Sequence, residues 1–204
     1  MVYDYFKHQK EVSVLKEQKK TNELNLLKTQ LNPHFLFNTL NNLYTLALKK
    51  SDSTPVAIIK LSEILDYMLY QCKDKFVPLI NEVNLVKNYI ALEKIRYGKR
   101  LNLTFNHPIK DDVKIAPLLL LTFLENAFKH GISQEINVGT IEIILQADRN
   151  EIYFKIENSK PKTTENISYK KRDAIGLENI KKQLEILYKK NNQILNISED
   201  DATY

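Results

Sequence analysis

The chain has 204 residues, 43% apolar and 27% charged, with four glycines, six prolines and one cysteine. That suits a soluble globular protein of one large or two small domains, and the lone Cys72 excludes an internal disulfide and fits a reducing compartment. The net charge of +5 is mild and its lysines are spread along the chain, so no direct nucleic-acid contact is expected.

No stretch is long enough to cross a bilayer. The longest apolar run, Ile115–Leu124, is about half of the roughly 20 residues a spanning helix needs. The N-terminus shows no signal-peptide pattern and begins inside a helical one. The expectation is a piece of a longer protein, cut at both ends.

Tyr3–Leu31 lacks glycine and proline, and Leu24, Leu27 and Leu31 keep a coiled-coil interval. A helix is predicted there, running toward Pro33, where it bends or restarts with Asn32 as N-cap. The next piece, to about Lys49, opens on Pro33-His34-Phe35. At about 100° per residue, Leu36, Leu40, Leu43 and Ala47 share one side, and His34, Asn38, Asn41 and Thr45 the other. His34 is therefore expected on a polar stripe facing away from the core. A solvated imidazole is a competent nucleophile near neutral pH, although a lone histidine on a polar face is more often plain surface.

Ser51–Pro55 reads as a turn, with the proline suited to a first helical position. Ile58, Leu61, Leu65, Met68 and Cys72 resume the seam, which predicts an antiparallel helical hairpin. Such a hairpin has more apolar surface than it can bury alone, so two copies forming a four-helix bundle are expected. Leu79, Val83, Val86 and Ile90 continue the interval in a third helix ending near Arg96-Tyr97-Gly98.

The period then changes. Leu101–Phe105, Thr140–Gln146 and Ile152–Ile156 alternate as strands. An apolar helix, Ala116–His130, lies between the first two. After the third strand come a polar stretch, Lys160–Asp173, a helix at Leu177–Lys189 and a strand at Gln193–Ser198. A helical half followed by a mixed half predicts an α+β protein of two modules, 1–97 and 98–204.

Three features of the second half belong together. Leu124–His130 ends a buried helix with an amide, a lysine and a histidine: the Asn126 carbonyl suits a magnesium ion, and Lys129 a phosphate. Alternation extends the buried face of the last strand to Asn158, where an amide can pair with a base edge. Gly176 opens a helix, whose exposed amides attract phosphate. Taken singly, each is also what an ordinary helix end, strand-ending turn or linker provides.

NPHFLFNTLNNL, the Lys60–Tyr97 helices and LENAFKHG, in that order, resemble the LytS-type sensor histidine kinases. The resemblance runs from about Leu27 to Ala202. It implies a dimerisation and phosphotransfer hairpin, then a Bergerat-type (GHKL) ATP-binding sandwich. It makes His34 the phosphoacceptor and Asn126 the magnesium-holding residue of the N box, with Lys129 and His130 beside the phosphates. Asn158 takes the position of an adenine-binding aspartate, and Gly176 and Leu177 follow the lid. Lys160 and Ala174 replace glycines of the family pattern, and Phe35 stands where many histidine kinases carry a proton-accepting acid. Asn38, one turn after His34, is a candidate for orienting a water in dephosphorylation.

The implied cofactors are ATP and Mg2+. The implied partners are a second copy and a response regulator of the LytTR type, with a membrane reached only through N-terminal segments beyond this chain. That describes the cytoplasmic portion of an inner-membrane protein. The rivals are an ATP hydrolase of the same superfamily, disfavoured because Thr122 stands where those enzymes carry a water-activating glutamate, and a non-catalytic dimeric scaffold.

Overall fold

The computed structural model describes residues 33–72, 74–111, 113–132, 138–159, 181, 184–185, 188 and 194–198, with the side chains of 33, 34, 130 and 131 excepted. The helix expected at 3–31, the stretch 160–173, and Gly176 and Leu177 lie outside the described residues.

The architecture is α+β. Helix α1 (Pro33–Leu48) and helix α2 (Thr54–Asp66) are joined by a short turn, and α2 runs into a π-helical turn, Tyr67–Gln71. Strand β1 (Val77–Pro78) leads into helix α3 (Leu79–Tyr97). Then follow β2 (Leu101–Asn106), β3 (Lys114–Ile115), helix α4 (Leu119–Gly131), β4 (Gly139–Ala147) and β5 (Ile152–Asn158). β1 and β3 form a small antiparallel pair; the main sheet has the order β2-β4-β5, with β2 parallel and β5 antiparallel to β4. Among the described residues, no helix is long and apolar enough to cross a membrane.

Local chemistry explains the boundaries. α1 ends with Lys50 at φ 50°, the Ser51 amide donating to the Leu46 carbonyl and the Lys50 amide to that of Ala47. That is the two-bond helix stop usually built on glycine. Pro55 sits in the first turn of α2. α3 stops at Gly98, whose φ of 56° other residues rarely adopt. β4 alternates strictly: Ile141, Ile143, Leu145 and Ala147 are buried, while Thr140, Glu142 and Gln146 are exposed.

One core runs from Phe35 through Leu61, Ile64, Val83, Val86, Leu120 and Leu124 to Ile143 and Leu145. The change of period near Tyr97–Leu101 is therefore a change of secondary structure within a continuous core. Leu184 and Tyr188 also pack against it, and the Ala116 amide donates to the Tyr188 hydroxyl at 2.8 Å.

Four expectations need correction. The inner face of α1 is set by Phe35 and Thr39, both 7% exposed; Leu40 and Ala47 are exposed. The reason is that α1 rests on an aromatic residue of α3, which selects the ring of Phe35 over the leucine row. On α2, Ile58 is exposed, and the buried row is Ala57, Leu61, Ile64 and Met68. The helix expected over Ala116–His130 starts late. Ile115 pairs with Val77, Leu118 turns left-handed at φ 61°, and α4 starts only at Leu119. The expected C-terminal strand is also absent from the described residues 194–198, where Ile194 and Ile197 are exposed and give the run no buried face.

Candidate functional site

α4 carries three of the predicted nucleotide residues, Asn126, Lys129 and His130. It lies on the sheet, with Phe123 against Phe154 of β5 at 5.7 Å between ring centroids. Pleating puts Phe154, Ile156 and Asn158 on one face of β5. Their partners Leu145, Ile143 and Ile141 are all buried. Asn158 is 3% exposed, as its alternation with apolar residues predicts, and its amide nitrogen donates to the Ser159 carbonyl at 3.2 Å. That commitment leaves the amide oxygen as its acceptor group. The neighbouring backbone is pinned as well, because the Ser159 amide donates to the Thr140 carbonyl and the Thr140 amide to Oγ of Ser159.

Asn126 is half-buried and Lys129 exposed, both in the C-terminal half of α4. The backbone of His130 belongs to the same helix. Thr122 is half-buried, and its hydroxyl donates to the Leu118 carbonyl at 2.8 Å. With that hydrogen committed to the backbone, Thr122 has no acid–base group to offer a water. Among the described residues there is no cluster of His, Cys, Asp or Glu with metal-binding geometry, so a cation here would rely on the Asn126 amide and on ligand oxygens.

His34 is the second residue of α1. Asn38 is half-buried one turn later, and the stripe beyond it, Asn41 and Thr45, is exposed as expected. Phe35 ties this helix end to the rest of the protein. Its ring stacks on Tyr89 of α3, with centroids 5.0 Å apart and planes 29° apart. Tyr89 meets Phe128 of α4 edge-on at 5.6 Å, and Tyr97 stacks on the same Phe128 at 6.2 Å.

Two buried carboxyls escaped the sequence reading. Glu82 is wholly buried, and its Oε1 accepts from the Tyr67 hydroxyl at 2.7 Å and the Leu118 amide at 2.8 Å. It thus links the π-turn of the hairpin, the first turn of α3 and the entry to α4. Burial raises its pKa, and the Leu118 amide and Tyr67 hydroxyl oppose that rise. Glu93 is 3% exposed near the other end of α3, with Arg96 Nη1 3.5 Å from its Oε2. Burial lifts its pKa from the usual 4.5 to about 7; Arg96 and the Tyr89 hydroxyl pull it down, and Glu125 pushes it up. A signal was present: Glu82, Val86, Tyr89, Glu93 and Arg96 step by four, three, four and three along α3, so two acids occupy a helical row with apolar neighbours. Cys72 is packed, as expected, its thiol pushed up to about 12 by burial.

An open groove of about 490 Å³ lies elsewhere, between α2 and α3, where Ser62, Glu63, Asp66, Asn81, Asn84 and Asn88 line it. None of the predicted site residues borders it.

Comparison with known proteins reaches the first three helices through a family model and more of the chain through single relatives. The histidine kinase family model matches residues 22–101. Sensor histidine kinase YpdA of Escherichia coli is 28% identical over 180 residues, 85% of this chain and 32% of that protein. Sensor protein LytS of Bacillus subtilis is 25% identical over 138 residues, 67% of this chain and 23% of its own length. Sensor histidine kinase BtsS of Escherichia coli is 31% identical over 138 residues, 67% of this chain and 24% of its own. The chain thus spans about a third or less of each of these relatives. With a family model over its first three helices and these relatives aligned to two thirds or more of its length, the chain is similar to the LytS-type sensor histidine kinases.

Proposed function

We propose that this chain is the kinase core of a two-component sensor, and that it phosphorylates His34 from ATP. The observation that carries the reading is Asn158: a buried amide at the end of a sheet face covered by the helix of Asn126 and Lys129. An amide buried among apolar neighbours needs a partner, and its oxygen suits an adenine amino group. By family resemblance Lys129 and His130 belong beside the phosphates, and Gly176 and Leu177 match the second glycine box. The Asn126 amide oxygen would hold a magnesium ion, which supplies charge neutralisation at the triphosphate.

The neutral nitrogen of His34 attacks the γ-phosphorus in line. A nitrogen–phosphorus bond forms, the bond to the bridging oxygen breaks, ADP leaves and the imidazole proton passes to solvent. Transfer of this kind needs mainly positioning and electrostatic stabilisation. The phosphoryl group then passes to an aspartate of a response regulator, of the LytTR type by family resemblance, and Asn38 would orient water in the reverse, dephosphorylating role. The working division is 1–97 for dimerisation and phosphotransfer and 98–204 for a Bergerat-type ATP module. Sensing and membrane attachment would reside in segments preceding this chain.

The exposed apolar faces support a dimeric four-helix bundle. Phe37, Leu40, Tyr44 and Leu48 project from α1, and Val56, Ile58 and Ile59 from α2. A patch of that kind on a hairpin is the signature of an interface, and a second copy offers a matching surface.

The test is incubation of the purified protein with γ-labelled ATP and magnesium. Acid-labile label on the wild type and none on His34→Gln is expected; equal label on both removes His34 from the reaction. The scaffold reading is favoured by Lys160 and Ala174, where the family pattern has glycine. Calorimetric silence toward a non-hydrolysable ATP analogue would establish it in place of the kinase.

A further inference from the structure

We propose that His34 takes its phosphoryl group from the ATP bound by its own chain, with Tyr89 as the positioning residue that docks helix α1 toward α4. This rests on the kinase reading above and adds which protomer supplies the nucleotide.

The geometry is a continuous aromatic path. Phe35 directly follows His34 and is 7% exposed, whereas Phe37 and Tyr44 of the same helix are exposed. It stacks on Tyr89 at 5.0 Å, and Tyr89 packs edge-on against Phe128 at 5.6 Å. Phe128 belongs to α4, the helix that also carries Asn126 and Lys129, so the path joins the helix of the phosphoacceptor to the helix of the triphosphate residues. Tyr89 is itself fixed. It is 4% exposed and held between the rings of Phe35 and Phe128. The ring therefore cannot swing out to follow a mobile α1; it is a seat.

The two faces of α1 divide the work. Phe35 and Thr39 turn inward, onto the chain's own α3. Phe37, Leu40, Tyr44 and Leu48 are exposed on the remaining face, which is the one left for a second copy. Transfer within a chain uses the contact already made.

The experiment uses heterodimers. Chains carrying His34→Gln and Asn126→Ala, with different affinity tags, are co-expressed and purified through both tags in turn. They are then incubated with γ-labelled ATP and magnesium and separated under denaturing conditions at neutral pH. Transfer within a chain leaves both unlabelled, like the His34→Gln homodimer. Label on the Asn126→Ala chain, at about half the wild-type level per dimer, overturns the proposal. If the wild type itself takes no label, the kinase reading fails instead, so the two failures are distinct. Should the chain sediment as a monomer, a labelling rate per molecule that is independent of protein concentration supports the proposal, and one that rises with concentration overturns it.

Tyr89 has its own readout. Tyr89→Leu should lower kcat for autophosphorylation at least tenfold and leave the KM for ATP within twofold. Tyr89→Phe keeps the stack and should stay within threefold of wild type in both. Unchanged kcat in Tyr89→Leu, or a loss confined to KM, overturns the positioning role. Circular dichroism that matches wild type for Tyr89→Phe but not for Tyr89→Leu shifts the decision to Phe35→Leu, for which the same kcat loss is expected.

Discussion

The two ends of helix α3 each bury a glutamate, yet they hold it in different ways. Glu82 accepts a phenol and a backbone amide on one oxygen, and it joins three elements at the entry to α4. Glu93 has a guanidinium at 3.5 Å and a neighbouring acid, Glu125, and its pKa is lifted to about 7. One end is a fixed hydrogen-bonded junction, whereas the other is an acid poised near neutrality beside the ring that seats Phe35. The contrast shows that burial alone does not decide what an acid does in a fold. The number and direction of its donors do.

The sharpest way to break the comparison is to remove the junction. Glu82→Ala leaves the Leu118 amide and the Tyr67 hydroxyl without their acceptor and opens a cavity, so a loss of about 3–5 kcal/mol is expected in urea unfolding. Glu82→Gln keeps an oxygen that accepts both donors and should cost under about 1.5 kcal/mol. If the amide variant is as unstable as the alanine variant, the negative charge matters more than the bonds.

A smaller effect distinguishes the other end. Glu93 binds a proton more tightly folded than unfolded, so the native state carries the excess proton between 4.5 and about 7. Its contribution is full below that window and is lost as pH rises through it, with a slope of at most about 1.4 kcal/mol per pH unit. Glu93→Gln should flatten this part of the stability–pH profile measured by urea titration. A slope unchanged in the variant would move the titration to another group, with Glu125 the first to test.

Much of this arrangement was legible in the chain itself. The third helix and its stop were written in the Leu79–Ile90 spacing and in Gly98, and the strands in strict alternation, including a buried Asn158. The break in the apolar run at Ile115–Leu118 was not, because strand, turn and buried helix draw on the same residues there. What selects the turn is a long-range bond, the Leu118 amide to Glu82. The inner face of α1 was misread for a related reason: its period was correct, but its rotation about the axis depends on Tyr89, 54 residues after Phe35. Of the candidate site, the burial of Asn158 was read from the pleat, and Asn126 and Lys129 were singled out by motif. Glu82 and Glu93 were passed over, since an acid in a helical row reads as a solvated face until its neighbours are known to be buried.

The smallest expected effect concerns how the Glu93 end of α3 is closed. Gly98 adopts φ 56° and ψ −130°, and its amide donates to the Lys94 carbonyl. Nothing lies within 4 Å of where a Cβ would stand, so Gly98→Ala meets no steric neighbour. The cost is conformational, about 1–2 kcal/mol, partly offset by the entropy that alanine removes from the unfolded chain. Asparagine, which often relieves a left-handed position, gives little here, because its favoured ψ is near +45°. Both variants should therefore lose similar amounts in urea unfolding. A neutral Gly98→Ala would mean that α3 can unwind its last turn at no cost, and the seat formed by Tyr89 and Tyr97 against Phe128 would then be softer than the junction at Glu82.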